Sequence, residues 1–221
     1  EILEECKAAL AEKNITLDIK VMDDYVIPNN STESGDVDAN YFQHTPYLDQ
    51  FNEENGTHLV SVAKVHYEPY GIYAGKVDAL DKIPDGAKVA VPNDATNEAR
   101  ALQLLAANGL ITLKEDAGLT ATKNDITENK KNLDIVEMEA ALISGMLDEV
   151  AVAVINGNYA IPAGLSATKD GLFVEGSSSP YVNVIAVKAG NENKAEIKAY
   201  IQFFRYCQIF RQDSYCLHYY W

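Results

Sequence analysis

Hydrophobic and polar positions follow two periods along this chain, and each change of period marks an element. Ile2, Leu3, Cys6 and Leu10 recur at helical spacing, so the opening segment is expected to be a helix with one buried stripe. Ile15, Leu17, Ile19 and Val21 then alternate with Thr16, Asp18 and Lys20, the pattern of a strand with one buried face. Asp23, Asp24, Tyr25, Pro28 and Asn29 end that strand in an expected loop. Residues 36–42 read as a short strand, and Thr45 is placed to cap a helix whose first residue is Pro46, where the missing proline N–H costs nothing. Residues 59–67, 88–91, 133–138, 150–155 and 182–187 are further predicted strands. Asn93 or Asp94 caps a helix with Ala99, Leu102, Leu105, Ala106 and Gly109 on its packed side, and another helix is expected near residues 140–147.

Strands alternating with helices predict an α/β fold with mainly parallel sheets. The run at 150–155, nearly all Val, Ala and Ile, fits a parallel strand covered on both faces. PYGIYAGK (69–76) and SSSPYVN (177–183) break the composition, and the chain is expected to cross between two lobes near them. No internal repeat is present.

Composition works mainly by exclusion. With 221 residues, 47% of them hydrophobic, the chain can bury one large core or two modest ones. No apolar run approaches the ~18 residues that span a bilayer. A net charge of −15 argues against a nucleic-acid partner, since phosphate binding needs clustered Lys and Arg. Cys6, Cys207 and Cys216 have no metal-ligand spacing; Cys207 and Cys216 could pair, but nothing requires it.

The chemistry gathers at strand ends, where open α/β sheets bind ligands. Tyr25 follows the strand from Ile15; Phe42, His44 and Tyr47 surround the next strand end; Asn93, Asp94, Thr96, Asn97 and Arg100 follow VAVP; Asn156 follows VAVAVI. Arg100 sits in the first turns of its helix, where a guanidinium, backbone N–H groups and the helix dipole all suit a carboxylate. A solvated helix face with a surface ion pair is the other reading. His44 suits a ligand contact or a cap. Tyr25, Phe42 and Tyr47 suit an aromatic wall for an apolar or thioether side chain, or ordinary core packing. Asn156 and Asn183 need hydrogen-bond partners if buried, which a ligand's ammonium or carboxylate would supply as well as a loop would. The sequence contains no G-x-S-x-G, G-x-x-x-x-G-K-[ST], H-E-x-x-H or G-x-G-x-x-G, so no catalytic residue, cofactor or metal is assigned.

DYVIPN, GDVDANYFQHTPYLDQ, VAVPNDATNEARALQLL, AVAVINGNYA and SPYVNVIAV occur in that order. Together they resemble the methionine-binding lipoproteins of bacterial ABC importers, the NlpA family, over residues 2–200. The resemblance implies a type II periplasmic binding protein fold: two α/β lobes joined by two crossing segments, with a ligand cleft between lobes. The lobes would be residues 1–71 with 183–221, and 72–182. It implies an extracytoplasmic, non-enzymatic protein that captures methionine and delivers it to an ABC importer permease. Such a protein would lie at the outer face of the cytoplasmic membrane on a lipid anchor, or in the periplasm. Carried over by motif, Arg100 would hold the carboxylate, and Asn156 and Asn183 would fix the amino-acid backbone. Tyr25, Phe42, His44 and Tyr47 would surround the side chain and its sulfur. Another apolar amino acid, a methionine-containing dipeptide, or an enzyme acting on an amino acid are the alternatives.

Three departures stand out. Ala95 replaces the family's usual proline. The family's core strand and lipidated cysteine come before the first helix, whereas this chain starts inside that helix. From Ile201 the sequence IQFFRYCQIFRQDSYCLHYYW holds two of the three Cys and the only Trp, and reads like a different frame.

Overall fold

Two units pack separately in the computed structural model, which describes residues 2–176 and 180–210. One is Glu1–Tyr67 with Tyr181–Trp221, the other Glu68–Pro180. These divisions fall a few residues before the expected 71/72 and 182/183; at the first of them, Tyr70 and Gly71 already pair with Asn156 and Ile155 in the second unit's sheet.

The first unit opens with α1 (Ile2–Ala11), whose stripe buries Cys6 and Leu10. Ile15 and Leu17 pack on the same core. Residues 15–22 nevertheless form no ladder, and Val21 is 86% exposed. The expected strand is thus only an extended segment: alternation buries one face, but a strand also needs a hydrogen-bonded neighbour. The expected loop through Pro28 and Asn29 is instead α2 (Ile27–Ser34). Asp24 starts it, its Oδ1 accepting from the N–H groups of Val26 and Ile27 at 2.6 and 2.7 Å, and Pro28 falls in the first turn. Gly35, at φ +88°, ends it in the left-handed region that glycine adopts without strain.

The next strand is β1 (Asn40–His44), later than the 36–42 expected. It leads into α3 (Thr45–Asn55), where the cap is His44 and not Thr45. The Nδ1 of His44 accepts from the N–H of Tyr47 at 3.2 Å. β2 (Leu59–Tyr67) follows, with the predicted limits.

The second unit begins with β3 (Tyr70–Ala74) and β4 (Lys88–Pro92). Asp94 caps α4 (Ala95–Ala107) by accepting from the N–H of Asn97 at 3.0 Å. Ala99, Leu102 and Leu105 are wholly buried on its packed side. Gly109 lies beyond the helix at φ +69°, exposed and not packed as expected. β5 (Thr112–Leu113) pairs with β6 (Ile126–Glu128) as a small separate ladder. β7 (Asp134–Met138), α5 (Ala140–Ile143), β8 (Val152–Asn156), α6 (Gly157–Ala160), α7 (Ala167–Asp170) and β9 (Gly171–Val174) complete the unit.

Its main sheet has five strands in the order β7-β4-β8-β3-β9. Residues 152–155 are 0% exposed, buried between two apolar clusters. Each of the three larger side chains, Val152, Val154 and Ile155, contributes about 1.5–3 kcal/mol when fully removed from water.

The chain then returns to the first unit as β10 (Val182–Lys188) and α8 (Ala195–Phe210). β10 lies between β1 and β2 and runs antiparallel to both. The sheets are therefore not mainly parallel. Among the described residues only the ladders of β4 with β7 and β8 are parallel. The strands that follow the crossings, β3 and β10, run against their neighbours. Ile201 and Phe204, at the start of the atypical C-terminal sequence, continue α8 and are buried in the first unit. A Cys207–Cys216 pairing lies outside the described residues.

Candidate functional site

The first unit brings Tyr25, Phe42, His44, Tyr47 and Asn183 to one end of its sheet. β1 carries a bulge there: Tyr41 pairs with Ile185 and Gln43 with Val184, which leaves Phe42 as an extra residue. The bulge puts Asn40 and Gln43 on one face, although regular alternation would oppose them. On that face they close a buried amide network with α2. Gln43 Nε2 donates to Asn29 Oδ1 at 2.6 Å and to Asn40 Oδ1 at 2.8 Å. Asn29 Nδ2 donates to Gln43 Oε1 at 2.9 Å, and Asn40 Nδ2 donates to Thr32 Oγ1 at 2.8 Å.

This network fixes the strand on either side of Phe42. The Phe42 ring meets Tyr25 at 5.8 Å and Tyr47 at 6.0 Å between centroids. Tyr25 meets Tyr47 at 5.8 Å, and the Tyr47 hydroxyl donates to the Tyr25 carbonyl at 2.9 Å. His44, 5% exposed, stands edge-on to Tyr47 at 6.3 Å and to Tyr181 at 4.9 Å. As His44 accepts at Nδ1, its Nε2 carries the proton in the neutral ring. Asn183 faces His44 across the β1–β10 ladder and is 7% exposed.

The second unit brings Arg100 and Asn156 together. Arg100 is 4% exposed. Its guanidinium lies 4.5 Å from the centroid of the Tyr70 ring, and its Nη2 donates to the Glu68 carbonyl at 3.1 Å. It is ion-paired with Glu175: Nε donates to Glu175 Oε2 at 3.0 Å, and Nη2 donates to the same oxygen. Asn156, opposite Tyr70 in the ladder, donates from Nδ2 to Asn97 Oδ1 at 2.9 Å. Asn97 is itself held by Asp94, to which its Nδ2 donates at 2.9 Å. The Oδ1 of Asn156 is buried and has no hydrogen-bond partner among the described residues. Gly157, next in sequence, keeps this corner tight: a Cβ there would come within 2.8 Å of the Glu68 side chain.

The sequence reading assigned Tyr70, Asn97, Glu175 and Tyr181 no part in the site. Asn97 stood in the strand-end group, and its position three residues before Arg100 on a helix was the signal available. Nothing local marks Glu175, which lies 75 residues from Arg100 in the chain. A second charged group lies beside α4: Glu98 accepts from the N–H of Lys123 at 3.0 Å, and Lys123 pairs with Glu137. Burial, and then the hydrogen bond shared with Glu137, raise the Glu98 carboxyl to about 7. Among the described residues no group of three His, Cys, Asp or Glu side chains is arranged to hold a metal ion. No helix among them is long and apolar enough to cross a membrane.

The NlpA lipoprotein family matches this chain over residues 1–211. The chain is 44% identical over 206 residues to the D-methionine-binding lipoprotein MetQ of Salmonella typhimurium, covering 92% of this chain and 76% of that one. A lipoprotein of Ruminococcus gnavus superposes with a TM-score of 0.92 at 53% identity, covering 96% of this chain and 88% of the other. A nutrient-binding protein of Burkholderia cenocepacia, solved bound to methionine, superposes with a TM-score of 0.87 at 42% identity, covering 90% and 84%.

Proposed function

Since the chain belongs to the NlpA lipoprotein family, we propose that it captures methionine outside the cytoplasm and delivers it to an ABC importer. Arg100 takes the carboxylate, Asn156 and Asn183 the amino-acid backbone, and Tyr25, Phe42, His44 and Tyr47 the thioether side chain. The protein binds and releases its ligand unchanged, and works at the outer face of the cytoplasmic membrane, held by a lipid anchor, or in the periplasm. The importer's permease is its second partner.

One observation carries this reading. The Oδ1 of Asn156, buried and with no hydrogen-bond partner among the described residues, belongs to the same cluster as a buried arginine. An unsatisfied buried acceptor costs about 1–3 kcal/mol, and a ligand ammonium would recover it. The amide cannot turn to satisfy itself without losing its bond to Asn97. Support also comes from the MetQ relative and from the methionine-bound neighbour.

Titration calorimetry with methionine tests the proposal. Saturable binding is expected, with a melting temperature that rises with ligand; a hundredfold excess over Kd stabilises by about 2.7 kcal/mol. No heat and no shift at millimolar methionine would refute it. Phe42 is only half-buried, and its wall would accept other apolar side chains. Both methionine enantiomers, leucine and glycylmethionine therefore belong in the same titration, and tighter binding of any of them renames the ligand. Turnover of the added amino acid would instead make the chain an enzyme.

A further inference from the structure

We propose that Asn29, Asn40 and Gln43 are positioning residues for ligand binding. Their buried amide network selects Phe42, rather than Gln43, as the residue that β1 leaves unpaired, and so presents its ring to the ligand's side chain. This rests on the amino-acid-binding reading above and supplies what holds the first unit's aromatic wall in place.

The β1–β10 ladder has four pairs for the five residues of β1, with Asn40 opposite Ala186 at one end and His44 opposite Asn183 at the other. The residue left over is therefore Tyr41, Phe42 or Gln43. Tyr41 is held on the opposite face from Asn40. It packs in the same core as Ile185, its ring meets Phe204 at 5.5 Å between centroids, and its hydroxyl lies 2.5 Å from His66 Nδ1. The choice is thus between Phe42 and Gln43.

Burial alone would choose the other way. With Gln43 left over, Phe42 would stand opposite Val184 and, two residues after Asn40, would face α2 as Asn40 does. The ring would be buried and the amide freed, which is the arrangement that hydrophobicity favours. The structure has the reverse: Gln43 is 3% exposed, whereas Phe42 is only half-buried.

The amide network accounts for the reversal. Gln43 Nε2 donates to the Oδ1 atoms of Asn29 and Asn40, and Gln43 Oε1 accepts from Asn29 Nδ2. Asn40 Nδ2 donates to Asn29 Oδ1 at 3.0 Å and to Thr32 Oγ1 at 2.8 Å, and Thr32 Oγ1 donates to the Pro28 carbonyl at 2.7 Å. All four residues are buried, and each amide nitrogen and oxygen of the three amides has a partner. A phenyl ring in the place of Gln43 would leave Asn29 Nδ2 and Asn40 Oδ1 buried and unsatisfied, a cost that a closed network avoids. The network also ties β1 to the helix that follows Tyr25, whose ring lies 5.8 Å from that of Phe42.

The test is a cycle of four chains titrated with methionine by calorimetry: wild type, a network variant carrying Asn29→Ala and Asn40→Ala, Phe42→Ala, and the chain with all three changes. The two network substitutions take from the Gln43 amide every partner it has among the described residues, and leave apolar room for the ring. The network variant should bind methionine at least fivefold more weakly than wild type. In the Phe42→Ala background the same two changes should alter affinity less than twofold. Equal losses in both backgrounds overturn the inference, because a network that merely holds the unit together acts whether or not the ring is there. Wild-type affinity in the network variant overturns it too, even if the urea midpoint has fallen. So does a crystal structure of that variant in which Phe42 is still unpaired. If the network variant does not fold, Asn40→Ala alone takes its place in the cycle, with a threefold loss expected. Each of these failures leaves methionine capture standing; wild-type protein that binds no methionine removes the function and the inference together.

Discussion

In the first unit the candidate ligand groups are rings held at 5.8–6.3 Å from one another, with Asn183 beside them. In the second they are a guanidinium and an amide, tied by hydrogen bonds into a buried cluster with Glu175, Asn97 and the Glu68 carbonyl. The two arrangements fail differently. A ring removed from a wall leaves the other rings in contact, and the loss is mainly of apolar area. A member removed from a charged cluster leaves a partner buried and unsatisfied, so the loss exceeds the contact itself. The second unit's cluster should therefore be the brittle arrangement and the first unit's wall the adaptable one, where under the proposed function ligand preference can be tuned.

The sharpest way to break this contrast is Arg100→Ala. It should weaken methionine binding by about 3–5 kcal/mol. It should also lower the urea midpoint of the unliganded chain, since the buried Arg100–Glu175 ion pair is lost. Calorimetry and urea melts check the two effects, and affinity within tenfold of wild type would place the carboxylate elsewhere. Asn156→Ala should cost about 1–3 kcal/mol in methionine affinity, because the bond to Asn97 Oδ1 and the acceptor proposed for the ligand are both lost. Next comes Phe42→Ala, with an expected loss of about 1–2 kcal/mol and little change in stability; Phe42→Leu should shift preference toward other apolar amino acids with a smaller loss. A loss from Phe42→Ala as large as that from Arg100→Ala would dissolve the distinction.

The smallest effect concerns pH and the Glu98–Glu137–Lys123 group. Glu98 keeps its proton to about pH 7 in the folded chain, above the ordinary 4.5 of an unfolded glutamate. The folded state thus binds the extra proton between these values, and stability should fall as pH rises through that window, then level off. Glu98→Gln should flatten the fall, with a gain on the order of 1 kcal/mol at pH 8. Thermal melts at pH 5 and pH 8 would show it, and equal slopes in both proteins would count against a protonated Glu98.

Elements whose signal is local were legible in the sequence. β2 kept its predicted limits, and α4 is capped by Asp94 and buries Leu102 and Leu105 as its period required. What was not legible depends on partners remote in the chain. Alternation at Ile15, Leu17, Ile19 and Val21 identified a buried face but could not tell that no strand among the described residues pairs with it. Strand direction was missed because apolar runs look alike whichever way their neighbours run, and β3 and β10 run against theirs. His44 displaced Thr45 as the cap because an imidazole acceptor can serve where a hydroxyl was expected. In the site, residue types suited to a zwitterion could be found at the strand ends, whereas Glu175 becomes visible only once β9 is seen beside β3.

The bulge in β1 has a consequence for how such a site is acquired. The segment from Asn40 to His44 spends one more codon than its ladder uses: Asn40, Tyr41, Gln43 and His44 each have a partner on β10, and Phe42 has none. Deleting that codon would leave four residues opposite the same four partners. The wall's central ring is thus separable from the sheet that carries it. If Phe42 meets the ligand as proposed, point substitution there selects which side chain does so, and a single-codon gain or loss decides whether one does at all, with no strand re-paired.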